Sequence, residues 1–397
     1  MAKDKSGFII AAAFIGPGTV TTASIAGANF GFHLMWALLF SIVATMVLQD
    51  MAARLGIATG NGLAAGLKDI SENRGLKVFF SALVVAAVGI GNAAYESGNL
   101  TGAAIGLDAF LQIGTGNWAM ILGGISAALL YSGKYKMIES VLVILVIAMA
   151  LVFFVTLFAA SPDWSAMLGQ ALSPRLDAEA ITMILALIGT TIVPYNLFLH
   201  ASLTAQNYAG EDKAAAIEAS RKQSIFAIGF GGLITLVVMA TAMLAFFGQQ
   251  AQMDASNMGK QLEPVLGESA QWFFAAGLFA AGLTSSITAP LAASYAVCGA
   301  LNWSTDLNSR AFKAVWMSII ATGVVIAGAG FKPLAAILFA QAANGLLLPI
   351  VAIFLLVVMN KGKTLGHFKN KMPSNVLGIV VVGFVVCLGL YKLASLF

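Results

Sequence analysis

Gly16-Pro17-Gly18-Thr19 and Val193-Pro194-Tyr195-Asn196 interrupt two otherwise unbroken apolar stretches, each near its middle. Proline lacks an N–H and its ring clashes with the preceding turn, so each stretch reads as a helix broken at mid-length. Unpaired backbone inside a bilayer is tolerated only where it is buried in protein or lines a cavity. Matching breaks in two halves of a membrane protein are the sequence pointer to a transporter's binding site. Neither break contains a carboxylate, a thiolate or a thioether.

The rest of the chain places these breaks in a membrane. Of 397 residues, 59% are hydrophobic and 10% charged, against about 25% charged in an ordinary soluble domain. Apolar runs long enough to span a bilayer read at 8–31, 34–55, 77–110, 117–132, 138–160, 180–208, 223–248, 270–300, 312–331, 334–359 and 375–396. The fourth is short and the third overlong. This leaves one transmembrane domain, 1–397, with no room for a soluble one. The first run follows Lys3 and Lys5 as a signal peptide would, but its length and mid-span proline predict a retained helix.

Basic residues set the orientation. With the amino terminus inside, 17 of 21 Lys and Arg fall on the inner side, and only Arg175, Lys260, Lys332 and Lys392 lie outside. The prediction is a multi-pass protein of a bacterial inner membrane, amino terminus cytoplasmic and carboxyl terminus external. The net charge of +4 then reflects topology and lipid contact and calls for no nucleic-acid partner. Cys298 and Cys387 read as packing residues. His33, His200 and His367 are too scattered to form a metal cluster, and no nucleotide-binding or zinc-protease motif is present. A cofactor, an enzyme activity and an ATP-driven pump are not expected.

The first break opens helices one to five and the second opens six to ten. An odd number of helices per repeat inverts the second copy, giving repeats at about 8–160 and 180–359 with an extra helix at 375–396.

Several stretches resemble the NRAMP transporters. Gly27-Ala28-Asn29-Phe30-Gly31-Phe32, Leu48-Gln49-Asp50-Met51-Ala52-Ala53-Arg54-Leu55-Gly56 and Thr59-Gly60 are similar to that family's first two helices. Pro194-Tyr195-Asn196-Leu197-Phe198-Leu199-His200 resembles its sixth-helix signature. Ala281-Gly282-Leu283-Thr284-Ser285-Ser286 resembles its helix-eight segment, and Gln341 with Leu348-Pro349 its helix-ten segment. The resemblance implies an all-α integral membrane fold of eleven transmembrane helices, a LeuT-type five-plus-five inverted repeat with discontinuous helices 1 and 6. It also implies proton-coupled uptake of Mn²⁺ or Fe²⁺.

The departures fall on the residues that the resemblance would make metal ligands. Gly16 stands for an aspartate, Thr19 for an asparagine, Val193 for a methionine and Tyr195 for a histidine. In helix three, Glu96 and Asn99 stand for an aspartate and a glutamate. Loss of the methionine removes the soft contact that suits transition metals, and loss of the aspartate removes charge that a divalent ion needs. No metal ligands are therefore assigned.

Two half-helices would instead begin at the centre, near Thr19 and Asn196. Each amino terminus carries about half a positive charge and is a ready anion site. The expected cargo is a small monovalent anion, with bicarbonate leading and protons as the candidate coupling ion. Gly16, Pro17, Gly18, Thr19, Thr22, Val193, Tyr195, Asn196 and Gln341 form the candidate substrate site, with Thr21 as a further donor. Glu96, His200 and Asn344 are candidates for proton coupling or gating, an intramembrane carboxylate being a functional candidate by default. Blander readings stand beside these: Thr21 and Thr22 bonded back to their own helix, Tyr195 and His200 as packing, Gln341 and Asn344 as links between helices. The rival functions are a divalent-metal (Mn²⁺, Fe²⁺ or Mg²⁺) transporter with water-rich ligation and a membrane receptor that moves no solute.

Overall fold

The structure is a computed structural model that describes residues 16–64, 73–132, 135–249, 253–361 and 365–394. The expected start of the first span at 8–15, and the topology residues Lys3, Lys5, Lys68, Lys134 and Lys363, lie outside the described residues. The helices are α1 (Pro17–Phe30), α2 (Met35–Thr59), α3 (Arg74–Asp108), α4 (Thr115–Ser132), α5 (Tyr135–Ala159), α6 (Trp164–Ala171) and α7 (Ala178–Thr191). They continue with α8 (Pro194–Asn207), α9 (Lys213–Phe246), α10 (Ala270–Leu301), α11 (Arg310–Gly328), α12 (Pro333–Met359) and α13 (Met372–Ala394).

Four of the helices that begin in loops carry their own start signals. Asp163, Asp177, Asp212 and Ser309 each accept a backbone N–H three residues on, capping α6, α7, α9 and α11. Such a side chain satisfies one of the N–H groups that a helix start leaves open.

Eight helices are long and apolar enough to cross a membrane by length and composition, or nine if the bent pair Val143–Ala159 and Trp164–Ala171 is one span, among the described residues. The protein is an all-helical membrane protein. Eleven spans were expected; α1, described over 14 residues, and α4 fall short of that test. The outward faces carry large apolar side chains, among them Ile90, Ile144, Phe226, Val325 and Phe339. Thr19, Thr45, Gln49, Asn99, Ser286 and Gln341 are buried instead. Lipid tails offer no hydrophobic drive to bring helices together, so small residues and internal polar groups hold such a bundle.

Packing partners are reciprocal. α1 lies on α9 while α8 lies on α2, and α3 lies on α12 while α10 lies on α5. Glycine makes the first two contacts possible. A Cβ at Gly27 would run into the carbonyl of Met239, and one at Gly56 into the carbonyl of Ala201. Backbones meet there with nothing between them.

Most boundaries shift by a few residues, and two differences are larger. α9 starts at Lys213, ten residues before the apolar run that predicted 223, because a charged first segment capped by Asp212 extends the helix beyond the bilayer. Helix α6 sits in what was read as a loop; its eight residues are too few to stand out as a span.

Candidate transport site

Two helices begin inside the protein, not at its surface. α1 starts at Pro17 after Gly16 (φ −85°, ψ 169°), and α8 starts at Pro194 after Val193 (φ −79°, ψ 117°). Both caps are extended, both helices have proline in the first turn, and neither has a side-chain cap. Proline suits that position because its missing N–H would be unpaired anyway. α7 ends at Thr191, so Ile192 and Val193 form the gap of the sixth helix.

Other side chains close around this gap. The Thr19 and Thr190 hydroxyls lie 3.0 Å apart, tying the start of α1 to the end of α7. The rings of Tyr95 and Tyr195 meet edge to face with centroids 5.4 Å apart, and Tyr95 also engages Thr190. A Cβ at Gly16 would sit 3.0 Å from the Ser285 hydroxyl and 3.6 Å from the Tyr95 hydroxyl. Gly18 is covered by the Gln341 amide, whose Cδ would lie 2.7 Å from a Cβ there. Gly102 receives the Pro17 ring and Gly98 faces Ala340 and Gln341.

The predicted substrate residues thus gather at one place: Gly16, Pro17, Gly18, Thr19, Tyr195 and Gln341 share these contacts, and Val193 caps α8. Both amide atoms of Gln341, the hydroxyls of Thr21 and Thr22, and Oδ1 of Asn196 are buried with no protein partner. Thr21 and Thr22 therefore do not bond back to their own helix. A buried polar atom left unpaired costs about 1–3 kcal/mol, so such atoms ordinarily meet water or a ligand.

The candidate coupling residues are placed separately. Glu96 follows Tyr95 on α3 and so turns about 100° around the helix, where Gly323 of α11 packs on its stem. It is fully buried, and Asn99 donates to it at 3.3 Å. His200 Nδ1 lies 2.6 Å from Gln49 Oε1, joining α8 to α2. Asn344 reaches the Gly189 carbonyl at 3.5 Å, linking α12 to α7. Among the described residues, no group of three or more His, Cys, Asp or Glu gathers as a metal site.

The sequence matches the family described as "Natural resistance-associated macrophage protein-like" over residues 7–395. The chain belongs to the NRAMP family. It is therefore a secondary transporter of the membrane and not an enzyme. It is 26% identical over 390 residues to the divalent metal cation transporter MntH of Caldanaerobacter subterraneus subsp. tengcongensis, covering 96% of this chain and 90% of that one. In fold it resembles the manganese transporter of Eremococcus coleocola, with a TM-score of 0.79, 21% identity and coverage of 98% and 85%. It also resembles MhsT solved with L-phenylalanine, with a TM-score of 0.61, 16% identity and 99% coverage of each. These two likenesses concern fold alone. The NRAMP relatives named here are metal transporters, so the anion expectation rests on this chain's own residues.

Tyr95, Thr190 and Ser285 were not read from the sequence as site residues. For Tyr95 a signal existed: Gly91, Tyr95, Gly98 and Gly102 recur at intervals of four, three and four. That spacing forms one stripe along a helix, and three of the four are glycines that admit close neighbours. Ser285 stood inside the helix-eight motif between Thr284 and Ser286, and nothing in that run of hydroxyls marks which one faces the gap.

Proposed function

We propose that this NRAMP protein carries a small inorganic ion through the gap between α1, α7 and α8, and that the ion is a monovalent anion with bicarbonate as the leading candidate. One observation carries the reading. Two uncapped helix starts converge on hydroxyls and amides, while Gly16, Thr19, Val193, Tyr195, Ser285 and Gln341 bring neither a carboxylate nor sulfur. Helix starts of this kind offset negative charge, and orphaned donors on Gln341, Thr21 and Thr22 suit a planar oxyanion that both donates and accepts. Rocking of the α1, α2, α8 and α9 group against the α3, α10 and α11 group, each packed within itself, supports alternating access around a fixed site. Glu96 and His200 remain the groups for proton coupling.

The divalent-cation reading has its own support, and the comparisons favour it: relatives matched along almost the whole chain are named for that cargo. On this chain the ligands would be hydroxyls, water and the carbonyls that end α7. Such an all-oxygen set favours a hard, hydrated cation such as Mg²⁺ over a softer one. Proteoliposome uptake separates the readings. The anion reading expects saturable uptake of labelled bicarbonate and no micromolar Mn²⁺ or Mg²⁺ binding by calorimetry. Metal uptake without bicarbonate uptake replaces it with the cation reading, and uptake of neither overturns both and leaves another cargo.

A further inference from the structure

A cavity of about 520 Å³ opens beside the carboxyl-terminal part of α2, beyond Thr45, whose hydroxyl reaches the Thr191 carbonyl at the gap. Its walls are Asp50 and Arg54 of α2, Ile217 and Arg221 of α9, His367, Phe368, Lys369 and Lys371 of the turn between α12 and α13, and Pro373, Ser374 and Leu377 of α13. In the orientation read from the basic residues, this is the cytoplasmic face.

The charges in this cavity do not cancel. Arg54, Arg221, Lys369 and Lys371 face a single carboxylate, Asp50. Asp50 takes Arg221 at 2.7 Å and Arg54 at 3.4 Å. Arg54 also donates to Asn370 at 2.8 Å and Ser374 at 3.2 Å, which fixes its position. The Arg54 Nε is nevertheless buried without a partner. Lys369 and Lys371 are exposed, and no ion pair among the described residues engages either. The remaining wall is apolar, from Ile217, Phe368, Pro373 and Leu377. From there exposed apolar side chains run along both flanking helices, Ile225 and Phe226 on α9 and Val376 and Val380 on α13.

We infer that this cavity holds the phosphate-bearing head group of an anionic phospholipid, its acyl chains lying along the apolar faces of α9 and α13. Basic pockets between transmembrane helices on the cytoplasmic side have the chemistry to bind such head groups. A soluble phosphate would use the charges and leave the apolar wall unused; an amphiphile uses both. The lipid clamps α2, α9 and α13 together on the cytoplasmic side of the gap.

The test uses the purified full-length protein in phosphatidylcholine micelles, titrated with phosphatidylglycerol or with inorganic phosphate, and read by native mass spectrometry and thermal stability. Phosphatidylglycerol is expected to stay bound through washing that strips phosphatidylcholine, and to raise the melting temperature. Lys369→Gln and Lys371→Gln, both exposed and outside the Asp50 pair, are expected to weaken retention about fivefold each. Arg221→Gln is expected to abolish it. Equal retention of the two lipids, or retention that the lysine variants leave unchanged, overturns the inference. Inorganic phosphate that matches the stabilisation or displaces phosphatidylglycerol also overturns it and assigns the cavity to a soluble anion.

Discussion

The Thr19 hydroxyl lies 3.0 Å from the Thr190 hydroxyl, so one hydrogen bond joins the start of α1 to the end of α7. Thr190→Val keeps the shape and removes this bond together with the contact to Tyr95. Stability is expected to fall by about 1 kcal/mol, seen as a lower melting temperature in detergent, with a raised KM for the transported ion. Thr190→Ser restores the hydroxyl and is expected to recover most of both.

Gly16 is the position where the family resemblance places an aspartate, and here a Cβ would stand 3.0 Å from the Ser285 hydroxyl. Gly16→Ala is expected to weaken uptake severalfold by forcing that hydroxyl aside. Ser285→Ala in the same chain makes room and is expected to recover part of the loss. Uptake kinetics of the two single variants and the double variant give the coupling between the positions.

The glycine contacts predict a sharp contrast in folding. Gly56→Leu drives a side chain into the Ala201 carbonyl, and overpacking costs about 1–3 kcal/mol or more. The variant is expected to lose its monodisperse peak in size-exclusion chromatography. Gly124 is exposed and has nothing within 4 Å of a Cβ, so Gly124→Leu is expected to behave as the parent.

Asp177 gives a pH prediction. The Ala180 backbone N–H first, and Arg175 second, hold its carboxyl below the ordinary aspartate value. A depressed folded value means that the cap stabilises the protein above the unfolded pKa and loses that effect as pH falls through the folded one. Asp177→Ala is therefore expected to lower the melting temperature at neutral pH. The gap between the two proteins should close as acid protonates Asp177, as thermal scans across pH will show.

The breaks and most of the helices were legible because proline and long apolar runs are local signals. Pro194 marked the start of α8, and Gln341 stood out as an amide in an apolar helix. What escaped was tertiary. The Asp50–Arg221 pair joins residues 171 positions apart, and counting basic residues for orientation could not reveal it. Glu96 was read as a candidate for proton coupling or gating, but its rotation about α3 depends on which helices surround it, and it lies against Gly323. Of the eleven expected spans, α1, described over 14 residues, and α4 do not pass on length and composition.

Four helices that start in loops are capped by Asp163, Asp177, Asp212 or Ser309, while the two that start buried in the protein, at Pro17 and Pro194, have no side-chain cap. A passenger that supplies the absent acceptors does more than ride: it completes the scaffold. The laden carrier should then be the sturdier form, and the empty one the form that melts first.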